Sequence, residues 1–184
     1  MKKNIKEKEN ILNQDFTTTS INQKWSADIT YIHTEKDGWT YLASVEDLYS
    51  RKIIGWAFGK TMDAELAKKA LKNASLNVKK TKGIILQTDL GSQYTSNIFE
   101  EYLAELKIRH SYSRKGCPYD NSCIESFHSI LKKEEVNLKK YKDLKDVYNA
   151  IFEFIEAWYN RERILSSLNY RTPVKDIQKI KNCL

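Results

Sequence analysis

Between residues 58 and 66 the hydrophobic pattern of this chain changes its period. Before that point apolar and polar residues alternate. Trp25, Ala27, Ile29 and Tyr31 fall on one face of a strand, and Ser26, Asp28 and Thr30 on the other. Lys36-Asp37-Gly38 reads as a hairpin turn into a second strand, about 39–46. The polar Tyr49-Ser50-Arg51 then leads into a third, about 52–58. Three strands joined by short turns make an antiparallel meander.

Beyond the change, Leu66, Ala67, Ala70, Leu71 and Ala74 recur at helical spacing, with Asp63 and Glu65 early, where the helix dipole favours acids. Gly83 precedes a short apolar run, Ile84-Ile85-Leu86, typical of a buried parallel strand that ends at Asp89. A helix over 96–106, a strand over 108–112 and a helix over 121–135 follow. Residues 143–163 read as one long aromatic-rich helix, and Thr172-Pro173 as the start of a last short one. This order predicts an α/β domain: a mixed five-stranded sheet with helices on both faces and a C-terminal helical segment.

Composition narrows the function. Of the net charge of +7, residues 107–145 carry +5, with ten Lys/Arg against five Asp/Glu, which suits a polyanionic partner. No apolar run is long enough for a membrane span, and the Lys/Glu/Asn-rich start has no signal-peptide core. The three cysteines form no CxxC pair, which argues against a zinc site and fits a reducing compartment.

Three acids stand out by position. Asp28 lies on the polar side of the first strand, Asp89 ends a buried strand, and Glu125 shares a helix face with His128, Ser129 and Lys132. The opposite face of that helix, Ile124, Phe127 and Leu131, is apolar and would pack on the sheet. If the helix lies beside the strand ends, the carboxylates converge. Two carboxylates ~5 Å apart repel by roughly 3 kcal/mol at an effective dielectric near 20. Such a cluster takes up protons or binds a cation, and an all-oxygen donor set favours Mg²⁺ or Mn²⁺.

Asp89 and Glu125 are separated by 35 residues, with Lys132 seven positions further on. Around them stand Trp25-Ser26-Ala27-Asp28-Ile29-Thr30-Tyr31-Ile32, Asp89-Leu90-Gly91-Ser92-Gln93-Tyr94-Thr95-Ser96, Ser113-Arg114-Lys115-Gly116, Tyr119-Asp120-Asn121 and Trp158-Tyr159-Asn160-Arg161. From about residue 12 to 178 the chain resembles the integrase-core catalytic part of bacterial insertion-sequence transposases, within the DDE, retroviral-integrase-like superfamily. It departs from that family's usual text at Gln87-Thr88, where His-Ser is common, and at Leu90 and Leu165, where Arg and His are common. None of these removes an acid of the triad.

The resemblance implies an RNase H-like fold and metal-dependent strand cleavage followed by 3′-OH strand transfer at insertion-sequence ends. Asp28 would bridge two Mg²⁺ or Mn²⁺ ions, with Asp89 and Glu125 each completing one site. Lys132, Arg114, Lys115, Gln93, Tyr94, Arg161 and Arg163 are candidate DNA contacts. Asp120 and Asn121 are expected to cap the catalytic helix, Gly91 to permit a positive-φ turn, and His128 to be structural. The partners implied are terminal-repeat and target DNA, an upstream helix-turn-helix segment or subunit, and further copies of the chain on DNA, in a cytoplasmic, nucleoid-associated setting. The organisation expected is a polar lead-in over 1–20, an integrase core over 21–140 and a helical extension of the same domain over 141–184. The lead-in reads as too short and too polar for a helix-turn-helix of its own. The rival readings are an RNase H-like nuclease and a truncated transposase remnant that binds DNA without transposing it.

Overall fold

The computed structural model describes residues 8–76, 78–175 and 177. Residues 1–7 of the expected lead-in and residues 178–184 of the expected C-terminal extension lie outside them. Three antiparallel strands, β1 (Lys24–Thr34), β2 (Gly38–Asp47) and β3 (Ile53–Gly59), are followed by α1 (Ala64–Ser75), β4 (Ile85–Thr88), α2 (Asn97–Leu106) and β5 (Arg109–Tyr112). The sheet order is β3-β2-β1-β4-β5, with β4 parallel to both β1 and β5. This is the mixed five-stranded sheet that the alternating and continuous apolar segments predict.

One face of the sheet is covered by α1 and α2. Trp25, Ala27, Val45, Ala57 and Leu86 pack there against Leu66, Ala70, Leu71, Phe99 and Leu103. Each large side chain buried in this way contributes ~1.5–3 kcal/mol. Asp63 caps α1 by accepting from the Leu66 N–H at 2.8 Å, and Ser96 caps α2 through the Phe99 N–H at 3.2 Å. Gly55 of β3 is the close-approach point. A Cβ there would stand 2.3 Å from the Ala74 backbone nitrogen of α1, so only glycine lets the helix lie on the strand.

The other face is covered by the C-terminal half of the chain. A 3₁₀ turn (Pro118–Asn121) feeds α3 (Ser122–Glu134), and α4 (Leu144–Phe152) follows. Ile124, Phe127 and Leu131 are buried against Ile32, Leu42 and Ile53, together with Val147, Ile151 and Tyr159. Helices therefore lie on both faces, as expected.

The long helix expected over 143–163 is shorter and changes character. After α4 the chain continues as a π-helical stretch (Glu153–Tyr159) with a wider turn. It stops where Asn160 docks on the edge strand: Asn160 Nδ2 donates to the Ile53 carbonyl and Oδ1 accepts from the Ile53 N–H, both at 3.0 Å. Clamping two edge-strand groups with one amide ends the helix earlier than its apolar periodicity suggests. The last helix begins at Pro173, with Thr172 Oγ1 accepting from the Lys175 N–H at 3.3 Å. Among the described residues no helix is long and apolar enough to cross a membrane.

Candidate active site

The parallel pairing of β1 with β4 positions the first two acids. Lys24, Trp25 and Ser26 stand opposite Ile85, Leu86 and Gln87. Carried on by two residues, that register sets Asp89 beside Asp28, on the same face of the sheet. Asp28 Oδ1 accepts from the Ile29 N–H and Asp89 Oδ1 from the Gly91 N–H, at 2.8 and 2.9 Å.

The third acid is delivered by a buried hydrogen bond between side chains far apart in sequence. Ser26 Oγ donates to Asn121 Oδ1 at 2.8 Å, pinning the start of α3 to β1 two residues before Asp28. Glu125 follows one helical turn later. Asp28, Asp89 and Glu125 then line one cleft of about 320 Å³, closed by Ser113, Arg114 and the 116–118 turn.

Two of the three carboxyls feel both burial and the charge of Asp28. Burial pushes Asp89 above the usual carboxylate range, the Gly91 N–H opposes this, and the charge of Asp28 adds to the rise. Burial likewise raises Glu125, with Asp28 adding and His128 opposing. Among the described residues no three His, Cys, Asp or Glu side chains are gathered closely enough to hold a metal ion as they stand. The acids share a cleft rather than a closed shell, and the two raised carboxyls mark a site that gains from added positive charge. All-oxygen donors in such a cleft fit a hard divalent ion.

His128 is more intimate with the site than its sequence position suggested. It is buried, with Nδ1 3.6 Å from Asp28 Oδ2 and Nε2 3.4 Å from Ser44 Oγ. Asp28 and Ser44 are cross-strand partners in the β1–β2 ladder. The signal available in sequence was its place one turn after Glu125. A second brace holds the strand that delivers Asp89: His110 joins Glu100 at 2.5 Å and Thr88 Oγ1 at 2.9 Å, and that hydroxyl donates to the Asp89 carbonyl.

Several expected roles are corrected. Asn121 occupies the N-cap position of α3 but makes no capping bond, because its oxygen is taken by Ser26. Asp120 does not cap either. It accepts from the Arg114 backbone N–H at 2.8 Å and from the Arg114 guanidinium at 3.0 and 3.1 Å, and also from Asn10 and Gln14. Arg114 holds its carboxyl down to about 2. Asp120 thus ties the lead-in and the 113–118 loop to the start of α3. Gly91 does not have a positive φ; the Gln93 amide packs where its Cβ would stand.

The candidate DNA contacts divide by exposure. Tyr94 is 1% exposed in the core, edge-on to Phe99, and Gln93 is 7% exposed, so neither has a surface to offer a nucleic acid. Burial, with the charges of Asp28 and Asp89 adding, pushes the Tyr94 phenol upward. Arg163 is spent on Glu134, with Nε at 2.9 Å and Nη2 at 2.6 Å, clamping the C-terminal segment to α3. Arg114 lines the cleft, but its fork is committed to Asp120. Arg161 is exposed and donates to the Glu156 carbonyl at 2.9 Å. Lys115 is exposed in the cleft-side loop. Lys132, on the face of α3 that carries Glu125, sets its ammonium 4.1 Å over the Tyr31 ring.

Two family patterns, both described as Integrase core domain, match residues 18–118 and 106–173. The transposase for insertion sequence element IS904 of Lactococcus lactis subsp. lactis (strain IL1403) is 40% identical over 170 residues, covering 92% of this chain and 66% of that protein. Transposase InsF for insertion sequence IS3A of Escherichia coli (strain K12) is 43% identical over 155 residues, covering 84% of this chain and 54% of that protein. The chain thus spans between about half and two thirds of the length of these relatives. Among solved structures, the simian T-cell lymphotropic virus intasome in complex with PP2A regulatory subunit B56 gamma matches 84% of this chain and 53% of its own, with a TM-score of 0.67 at 21% identity. The HTLV-2 integrase catalytic core domain in complex with magnesium (trimeric form) matches 84% and 95%, with a TM-score of 0.61 at 18% identity. At that identity the likeness concerns the fold, which is the RNase H-like fold of retroviral integrase cores. Fold and sequence agree, and the chain belongs to the integrase core domain family.

Proposed function

We propose that this chain is the catalytic part of a DNA transposase that cuts a strand at an insertion-sequence end and joins the freed 3′-OH to a second phosphodiester. The observation that carries this reading is the meeting of Asp28, Asp89 and Glu125 in one cleft, where burial first and the charge of Asp28 second raise the other two carboxyls. The 40–43% identity to insertion-sequence transposases supports it over the nuclease and remnant readings.

Asp28 would hold two Mg²⁺ or Mn²⁺ ions jointly, with Asp89 and Glu125 each on one. Two such ions, when bound, activate an attacking hydroxyl and stabilise the leaving oxygen of an in-line phosphoryl displacement. The chain's own residues supply the frame. The β1–β4 register fixes the two aspartates, the Ser26–Asn121 bond fixes the glutamate, and His128 steadies the Asp28 carboxylate from the helix side. Lys132 and Lys115 are placed to neutralise phosphates.

Carboxylates acting on a phosphodiester have little means of choosing a sequence, because the backbone looks alike at every base step. Recognition of terminal repeats is therefore assigned to an upstream helix-turn-helix segment or subunit, acting with further copies of this chain on DNA. The test is strand transfer on duplex DNA carrying the element's terminal repeats, with the DNA-binding segment supplied. Joined products in Mg²⁺ or Mn²⁺ and none in chelator are expected. Undiminished cleavage in excess chelator, or cleavage confined to RNA–DNA hybrids, would overturn the reading.

A further inference from the structure

Beyond the acids, the same strand and the same helix carry a second cleft, of about 580 Å³. It is lined by Tyr31, His33 and Trp39 of the β1–β2 hairpin and by Lys132, Lys139 and Lys140 from α3 and the segment after it. Tyr31 and Trp39 are 53% and 55% exposed, so both rings are open to solvent. The rings meet at right angles: Tyr31 and Trp39 centroids are 5.1 Å apart at 86°, and His33 and Trp39 are 5.0 Å apart at 77°. No ring of the three stacks face to face on another.

Its distance from the acids is set by two rulers. Tyr31 lies three residues along β1 from Asp28, about 10 Å, on the opposite face of the sheet, and Lys132 reaches its ring along the edge of β1 that β4 leaves unpaired beyond Ser26. Lys132 lies seven residues along α3 from Glu125, about 10.5 Å. Both lead from the acid cleft toward the same end of β1. Charge at the cleft is basic: Glu35 is the acid of its lining, and Glu135 engages Lys139 at 2.7 Å, against three lysines in the lining.

We propose that this aromatic and basic cleft is a subsite for a short stretch of unpaired DNA next to the phosphate being cut. Bases stack on the Tyr31–Trp39 hairpin, and the lysines take the phosphates. A base in a duplex hides both its faces in the stack, so exposed rings beside ammonium groups match a single strand and not a closed helix. Lys132 is already held over Tyr31, so one ring both orients the cation and receives a base. The inference rests on the transposase reading but needs no chemistry to test.

The experiment is equilibrium binding by fluorescence anisotropy, in chelator, of a blunt duplex and of the same duplex with a short single-stranded tail. The wild-type chain is expected to prefer the tailed DNA. Trp39→Ala is expected to bind tailed DNA at least about fivefold more weakly, the low end for one base–aromatic stack, with blunt binding unchanged. Trp39→Phe should restore most of the preference. Tyr31→Ala carries the same expectation should Trp39→Ala lose its native circular dichroism. A wild-type chain with no preference, or a preference that survives both alanine variants, overturns the subsite and leaves the transposase reading intact. Binding of neither DNA likewise overturns the subsite, and the transposase reading is judged separately by strand transfer with the DNA-binding segment supplied.

Discussion

Beneath α1 and α2, the sheet presents Trp25, Ala27, Val45 and Leu86, a layer that holds its helices by area and shape. Beneath α3, Ser26, Ser44 and Gln87 are buried, and each has a polar partner: Asn121, His128 and Ser113. Apolar contact is non-directional and would let a helix slide by a fraction of a turn, whereas a hydrogen bond weakens steeply with misalignment. The first face therefore makes the domain stable, and the second fixes where α3 lies along β1. Polar side chains are buried on the face that carries the acids of the cleft. The exception on the first face, the Thr88–His110–Glu100 chain, sits at the end of β4 and serves Asp89.

The contrast can be broken most severely at the acids. Asp28→Asn, Asp89→Asn and Glu125→Gln should each lower strand transfer on the order of a thousandfold or more, about 4 kcal/mol, with unaltered circular dichroism. A correctly folded variant keeping more than about a tenth of wild-type transfer would remove that residue from the site.

On the packing face the corresponding change is Gly55→Ala. The added methyl meets backbone and not a flexible side chain, so the cost falls at the upper end for overpacking, about 3 kcal/mol. At about 2–4 °C per kcal/mol, thermal melting should drop by roughly 6–12 °C. Strand transfer measured well below that melting point should stay near the wild-type level. A variant that melts normally would show that α1 does not depend on this close approach.

Ser26→Ala tests the other face. It strands the Asn121 amide oxygen in a buried position, at a cost of about 1–3 kcal/mol. Transfer should fall by more than the lost stability explains, because Glu125 loses its anchor. Equal loss of transfer in Ser26→Ala and Gly55→Ala, at matched stability, would erase the distinction between the two faces.

A pH scan sharpens it further. Glu46 is buried on the second face with one carboxylate oxygen unpartnered, and burial raises its pKa from 4.5 to about 8, with Arg51 opposing. The folded state thus holds this proton more tightly than the unfolded chain does. The stability it contributes is fully present below pH ~4.5 and is lost as pH rises toward about 8. Glu46→Gln should flatten that decline in thermal melting; an unchanged pH profile would contradict the raised value.

The smallest effect separates two cations at the surface. Lys132→Ala should flatten the log–log salt dependence of DNA binding by about one unit, and Arg163→Ala should leave the slope unchanged, since Glu134 holds its guanidinium. Equal slopes in both variants would mean that Lys132 serves Tyr31 alone.

Most of the architecture was legible because period and position report burial directly. Trp25 to Tyr31 alternates and is a strand; Leu66 to Ala74 repeats at helical spacing and is a helix; the apolar run before Asp89 is a parallel strand in mid-sheet. Asp28, Asp89 and Glu125 could be singled out because each is an acid that an apolar pattern carries toward a strand or helix end. Partner choice was not legible. Asp120 resembles a helix cap in the sequence, yet Arg114 competes for it with a charge-assisted fork, the stronger bond. Asn121 is drawn to Ser26, which is 95 residues away. Gln93 and Tyr94, next to an acid in a polar-looking loop, are buried because that loop folds back over the core. The end of the long helix depended on Asn160 meeting Ile53, a contact no local periodicity contains.

The in-register pairing of β1 with β4 has a consequence for how the chain can change in length. A one-residue deletion inside either strand ahead of its aspartate would turn that carboxylate to the opposite side of the sheet, since side chains alternate. Residues added in the turns at 35–37 or 48–52 leave the two aspartates facing each other, because backbone pairing and not contour length sets them side by side. Glu125 has no such gearing. Its alignment depends on the Ser26–Asn121 side-chain bond, so insertions in the 113–117 loop are absorbed only while that bond can still close. Two acids of the site are thus indexed by the ladder and one by a latch, and the latch is where altered spacing would first be felt.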